Sequence, residues 1–193
     1  MQHGNKTRGT GPLGGSGMVG LWGASSMIRS VQRGTISIAS AFSATATINA
    51  VDVNNTVVRW LGTTSTSTGT TPAVATAGLT LTNSTTLTGV RQSNSATACV
   101  VSYEVIEFLP GVIRSVQRGN KLISSAPNTQ TITEVNTAKS DFSTMGMELD
   151  VNAYRDDYEQ TNAVLTNGTT LTFYMGYVGG GGIQYHWQVV EFF

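Results

Sequence analysis

The segment Ile28-Arg29-Ser30-Val31-Gln32-Arg33-Gly34 returns letter for letter as Ile113-Arg114-Ser115-Val116-Gln117-Arg118-Gly119. Later echoes keep nearly the same spacing: Thr47-Ile48 with Thr131-Ile132, Val51 with Val135, and Leu61-Gly62 with Met145-Gly146. The register continues through Leu81-Thr82-Asn83-Ser84-Thr85-Thr86-Leu87-Thr88 against Leu165-Thr166-Asn167-Gly168-Thr169-Thr170-Leu171-Thr172. It closes at Val105-Ile106-Glu107-Phe108 against Val189-Val190-Glu191-Phe192. Collinear matches of this kind mark an internal repeat. They divide the chain into an arm (1–27), a first β domain (28–108), a linker (109–112) and a second β domain (113–193). The linker, Leu109-Pro110-Gly111-Val112, is too short to let the copies drift apart.

Within each copy apolar residues alternate over short runs bounded by Gly, Asn, Ser and Thr, the pattern of half-buried strands and not of helices. Ile183, Tyr185, Trp187 and Val189 share one face, with Gln184, His186 and Gln188 on the other; Val101, Tyr103 and Val105 repeat the arrangement. Both runs end in Glu-Phe, which puts Glu107 and Glu191 on the apolar face and predicts a strand end or a face-changing bulge. Strands are expected over 28–38, 45–52, 56–62 and 79–90, with counterparts in the second copy. Gly179 to Gly182 reads as a hairpin loop. The fold class is therefore all-β: two tandem small sandwich or barrel-like domains preceded by an extended Gly-rich arm. Composition agrees, since only 11% of residues are charged and the abundant Thr, Ser, Gly, Asn and Val suit strands and turns.

Eleven basic and eleven acidic residues cancel, so no global field attracts nucleic acid or a membrane surface. No run approaches the roughly 18 apolar residues of a membrane span, and no signal-peptide core opens the chain. The expectation is synthesis in a host cytoplasm. The lone cysteine, Cys99, is flanked by Ala98, Val100 and Val101 and reads as a buried core thiol. His3 and His186 are the two histidines; neither a Gly-x-Ser-x-Gly elbow nor a His-Glu-x-x-His motif accompanies them. We expect no catalytic residue, no cofactor and no metal site, with His186 at a surface or interface. The acids Glu148, Asp150, Asp156, Asp157 and Glu159 read as a solvated loop; calcium is the sharper alternative, but the spacing is not that of an EF-hand.

Charge is distributed unevenly. The arm holds two basic residues, the first repeat four basic against three acidic, and the second five against eight. Arg33 with Glu107, and Arg118 with Glu191, stand in equivalent places. Each pair predicts a salt bridge joining first and last strands, or adjacent subunits; two exposed strand ends are the other reading. The arm carries eight glycines, Lys6 and Arg8, then Met18, Val19, Leu21 and Trp22. Ordering such a segment costs about 1–2 kcal/mol of backbone entropy per residue. It needs a surface, and a partner subunit is the expected one; a strand folded back on its own domain is the alternative. The interface residues expected are thus Lys6, Arg8, Met18, Leu21, Trp22, Arg33, Glu107, Arg118 and Glu191.

The opening Ile-Arg-Ser-Val-Gln-Arg-Gly and the closing aromatic-x-Val-Ile/Val-Glu-Phe, about 75 residues apart, resemble a β-rich module recurrent in tailed-bacteriophage structural proteins. The resemblance covers residues 28 to 192 and leaves the arm outside. It implies a virion location among particle or tail-associated proteins. Partners would then be the major capsid protein or tail proteins, and further copies of the chain in a homo-oligomer. The expected role is a capsid decoration or cement protein. The alternative is a tail, baseplate or fibre component, in which Tyr154, Tyr158, Tyr174 and Tyr177 stack on host glycan.

Overall fold

The computed structural model describes residues 26–66, 71–124, 127–149, 161–175 and 182–193, and the chain is all-β. Its strands are β1 (Ile28–Ile38), β2 (Ser43–Thr47), β3 (Thr56–Ser65), β4 (Gly78–Asn83), β5 (Thr86–Val90) and β6 (Cys99–Phe108) in the first half. The second half has β7 (Ile113–Ile123), β8 (Asn128–Thr131), β9 (Ser140–Leu149), β10 (Thr161–Asn167), β11 (Thr170–Met175) and β12 (Ile183–Phe192). In the first half the sheet β1-β6-β3 faces β2-β5-β4 across a core built from Ile36, Ile38, Leu79, Leu87, Val101 and Val105. In the second, β7-β12-β9 faces β8-β11-β10 around Ile123, Leu171, Phe173, Tyr185, Trp187 and Val189. Strand order and antiparallel register match position for position, down to a bulge between Ile28 and Ser30 opposite Glu107 that recurs between Ile113 and Ser115 opposite Glu191.

The segment 79–90, expected as one extended run, is a hairpin. Asn83 Oδ1 accepts hydrogen bonds from the backbone N–H and hydroxyl of Thr85, at 2.9 and 3.1 Å. Asn167 does the same for Thr169. A side-chain oxygen that captures the amide two residues on turns the chain back, so the recurring Leu-Thr-Asn-x-Thr-Thr-Leu-Thr motif encodes a tight turn. The run 45–52 also stops early. The strand covers Ser43–Thr47, after which Ile48 and Val51 turn inward while their N–H groups donate to Thr85 and Ser84 carbonyls, both at 2.9 Å. Glu107 and Glu191 keep the inward face to the end of their strands because the bulges lie on β1 and β7.

One backbone contact makes a single sheet of two. Gly78 on β4 pairs with Gly146 on β9, giving the six-stranded order β2-β5-β4-β9-β12-β7. Gly146 sits at a β-bulge with φ +98°, and a Cβ there would stand 2.6 Å from the Ala77 carbonyl and 2.8 Å from Trp60. Both the left-handed conformation and the close approach demand glycine. We expect Gly146→Ala to lower the unfolding free energy by roughly 2–4 kcal/mol, measured by urea denaturation; a change within error would mean the strands can part here without cost.

Candidate functional site: one strip of residues in two settings

Each half carries a buried carboxylate at the end of its last strand. Glu107 accepts from Arg29 at 3.3 Å, from the Ser30 hydroxyl at 3.2 Å and from the Asp52 N–H at 3.0 Å. Glu191 accepts from Arg114 at 3.4 Å, from Ser115 at 3.4 Å and from the Asn136 N–H at 3.0 Å. These bonds tie first strand, last strand and the loop before β3 or β9, which accounts for Arg, Ser and Glu recurring at these spacings. The loop ends in a short turn, Val53–Asn55 or Thr137–Lys139, capped by Asp52 or Asn136.

The predicted partners are corrected accordingly. Arg33 bonds Glu104, at 2.6 Å through Nε, with Arg59 on the other side of that carboxylate at 3.5 Å. The first and last strands are joined by ion pairs, but with other partners than expected: Arg29 reaches Glu107, whereas Arg33 and Glu107 lie on opposite faces of the sheet, Glu107 inward. Arg118 pairs with no carboxylate among the described residues. It crosses to the first half and donates to the Val53 carbonyl at 3.0 Å and to the Thr56 carbonyl. Burial without a counter-charge lowers its pKa to about 10, which leaves it charged at neutral pH.

Around Arg118 the outer face of β7-β12-β9 is covered by the first half. Gln188 is fully buried and matches both polar groups of the Val58 backbone: it accepts from the N–H at 3.2 Å and donates to the carbonyl at 2.5 Å. Val57 packs on Ile113 and Val190, and Phe108 meets Phe192 edge-on at 6.2 Å. His186, expected at a surface or interface, is buried in this junction, with Nε2 2.6 Å from a Glu148 carboxylate oxygen and its ring where a Cβ on Gly78 would lie. Glu148 is thereby withdrawn from the acidic segment; Asp150, Asp156, Asp157 and Glu159 lie outside the described residues, as do Lys6, Arg8, Met18, Leu21, Trp22 and most of the Gly179–Gly182 loop. Sequence reasoning missed Gln188 and His186 as junction residues, although their alternation with the aromatics showed them on one face.

Two clefts border the strip. One of about 410 Å³ is lined by Arg114, Glu134, Val135, Asn136 and Glu191. The other, about 210 Å³, lies between the halves and is lined by Leu79, Thr80, Leu81, Arg118, Gly119, Asn120 and Met145. Among the described residues no group of three or more His, Cys, Asp or Glu stands together as a metal site. Cys99 is fully buried, and desolvation raises its thiol pKa, so little reactive thiolate forms.

Comparison with known proteins adds no relative: no family model, curated protein or solved structure matches the chain.

Two outcomes follow from the strip. Arg118→Ala strands two carbonyls in the junction and should cost about 2–4 kcal/mol, whereas Arg33→Ala removes an exposed guanidinium and leaves Glu104 paired with Arg59, so it should stay within about 1 kcal/mol; equal effects in thermal melts would contradict the difference in setting. Hydrogen bonds from the Asn54 N–H and the Asn55 side chain hold the Asp52 carboxyl below its ordinary 3.8. A carboxylate depressed on folding contributes stability that is present above 3.8 and lost as pH falls through the folded value. Asp52→Asn, which keeps the cap as Asn136 does, should therefore flatten the stability–pH curve below about pH 4; an unaltered acid limb would contradict this.

Proposed function

We propose that this chain is a structural subunit of a tailed-bacteriophage virion, acting as a capsid decoration or cement protein that clamps neighbouring capsid subunits and works as a homo-oligomer. The reading rests on the end motifs, Ile28 to Gly34 and Tyr103 to Phe108 with their second copies, which carry the resemblance to phage structural modules. The observation that supports it best is the junction. Gln188, Arg118 and the Gly78–Gly146 pair tie the halves into one body, while Ile28, Val31 and Leu61 stay exposed on the outer face of the first half. A stiff body with an apolar face suits a clamp, whose contribution is mass action: binding only the assembled state stabilises it by RT ln(1 + [L]/Kd).

A tail, baseplate or fibre role is the second reading. Tyr174 on β11 favours it, since this ring is 45% exposed and an exposed tyrosine can stack on a sugar. Tyr154, Tyr158 and Tyr177 lie outside the described residues. Electron microscopy of virions labelled with antibody to this chain separates the two. Label spread over the head is the expected result; label confined to the tail would establish the second reading, and unlabelled particles would end both. Removal of residues 1–27 is expected to abolish incorporation into particles, scored by immunoblot of purified virions.

A further inference from the structure

The junction joins unlike surfaces. The first half contributes an edge: the turn Val53–Asn55, the start of β3 and Gly78 of β4. The second contributes the outer face of β7-β12-β9: Ile113, Val116, Arg118, Met145, His186, Gln188 and Val190. Because the halves share strand order and register, each surface has a counterpart that no contact among the described residues uses. The outer face of β1-β6-β3 leaves Ile28, Val31 and Leu61 41%, 38% and 55% exposed, whereas their equivalents Ile113 and Met145 are only 5% and 2% exposed and Val116 is half-buried. The edge counterpart, Thr137–Lys139 with Asp141 and Asn162, is exposed too.

We propose that copies of this chain associate head to tail by repeating the junction between molecules, the outer face of the first half in one copy receiving the second-half edge of the next. Gln188 has no counterpart donor, since Glu104 in its place is held by Arg33 and Arg59, but other side chains that differ between the two versions change in step. Within the chain, bulky His186 lies over Gly78; between chains, small Ser102 would lie over Asn162, so the large–small pair is reversed with its volume kept. Val57, which packs on Ile113 and Val190, is replaced by Asp141, and the face it would meet carries Ile28 and Ile106 with Arg33 and Arg59 beside them, both arginines more than 60% exposed around Glu104. Arg33 is placed for the Thr137 and Ser140 carbonyls as Arg118 is for those of Val53 and Thr56. The intermolecular contact is the more charged, hence weaker and salt-sensitive. A face that meets an unlike edge closes into a ring or continues as a filament according to the rotation per step. The inference rests on the two halves' geometry and does not need the virion reading.

Sedimentation velocity of the full chain from about 1 to 100 μM, at about 50 and 500 mM salt, reads this directly. We expect the low-salt mass to rise past that of a dimer and the association to weaken roughly tenfold at high salt. Asp141→Arg blocks the edge and Leu61→Arg the face; both positions are exposed, so the fold survives. Each variant alone is expected to be monomeric, while a mixture of the two gives a 1:1 dimer and nothing larger, since one intact edge then meets one intact face. A monomeric native chain at the highest concentration and low salt would overturn the proposal. So would association that persists in either variant, or a mixture that stays monomeric.

Discussion

The side-chain amide of Gln188 is the interaction on which the architecture turns. A primary amide has the donor and acceptor of a peptide group, and here it takes the place of a neighbouring strand for Val58, at the open edge of β3. Buried backbone polar groups must be satisfied, and an unsatisfied one costs about 1–3 kcal/mol. Once the second half covers the edge of β3, it must supply what water supplied before. Gln188 does so for Val58, and Arg118 for Val53 and Thr56. The halves thus bind through groups neither can leave unpaired, which sets their orientation more sharply than the apolar contacts of Val57, Val190 and the two phenylalanines.

The same strip therefore has two lives. In the second half Arg118 is buried against carbonyls and carries a depressed pKa; in the first, Arg33 is exposed and lies over the buried carboxylate of Glu104. Gln188 and Glu104 diverge for the same reason. A neutral amide is tolerated where water is excluded, and a carboxylate is tolerated where two arginines stand beside it. His186 and Ser102 follow the space available. Gln188 with Glu104, and His186 with Ser102, differ where one copy is covered by its own chain and the other is not, whereas Glu107 and Glu191, which do the same work in both, keep the same three partners.

Much of the architecture was legible in the chain itself. The repeat boundaries predicted two matching sets of strands, and alternation placed Val101, Tyr103 and Val105 inward. The hairpin inside 79–90 was harder to see, because Asn83 turns the chain through a local hydrogen bond that alternation does not register. The partners of Arg33 and Arg118 were misassigned for a different reason. Equivalent positions in two copies show neither which partner a long side chain reaches nor what covers it. The junction was nearly invisible, since a repeat seen along the sequence carries no information about which surface of one copy meets which surface of the next.

The central claim is that the halves unfold as one body because their buried polar groups are satisfied only together. Native-state hydrogen exchange across a denaturant series tests it most directly, read on peptides from β3 and from β12. The account predicts that both reach the same limiting opening free energy and the same denaturant dependence, as one cooperative unit does. Separate plateaus, with either half opening alone at markedly lower cost, would contradict it.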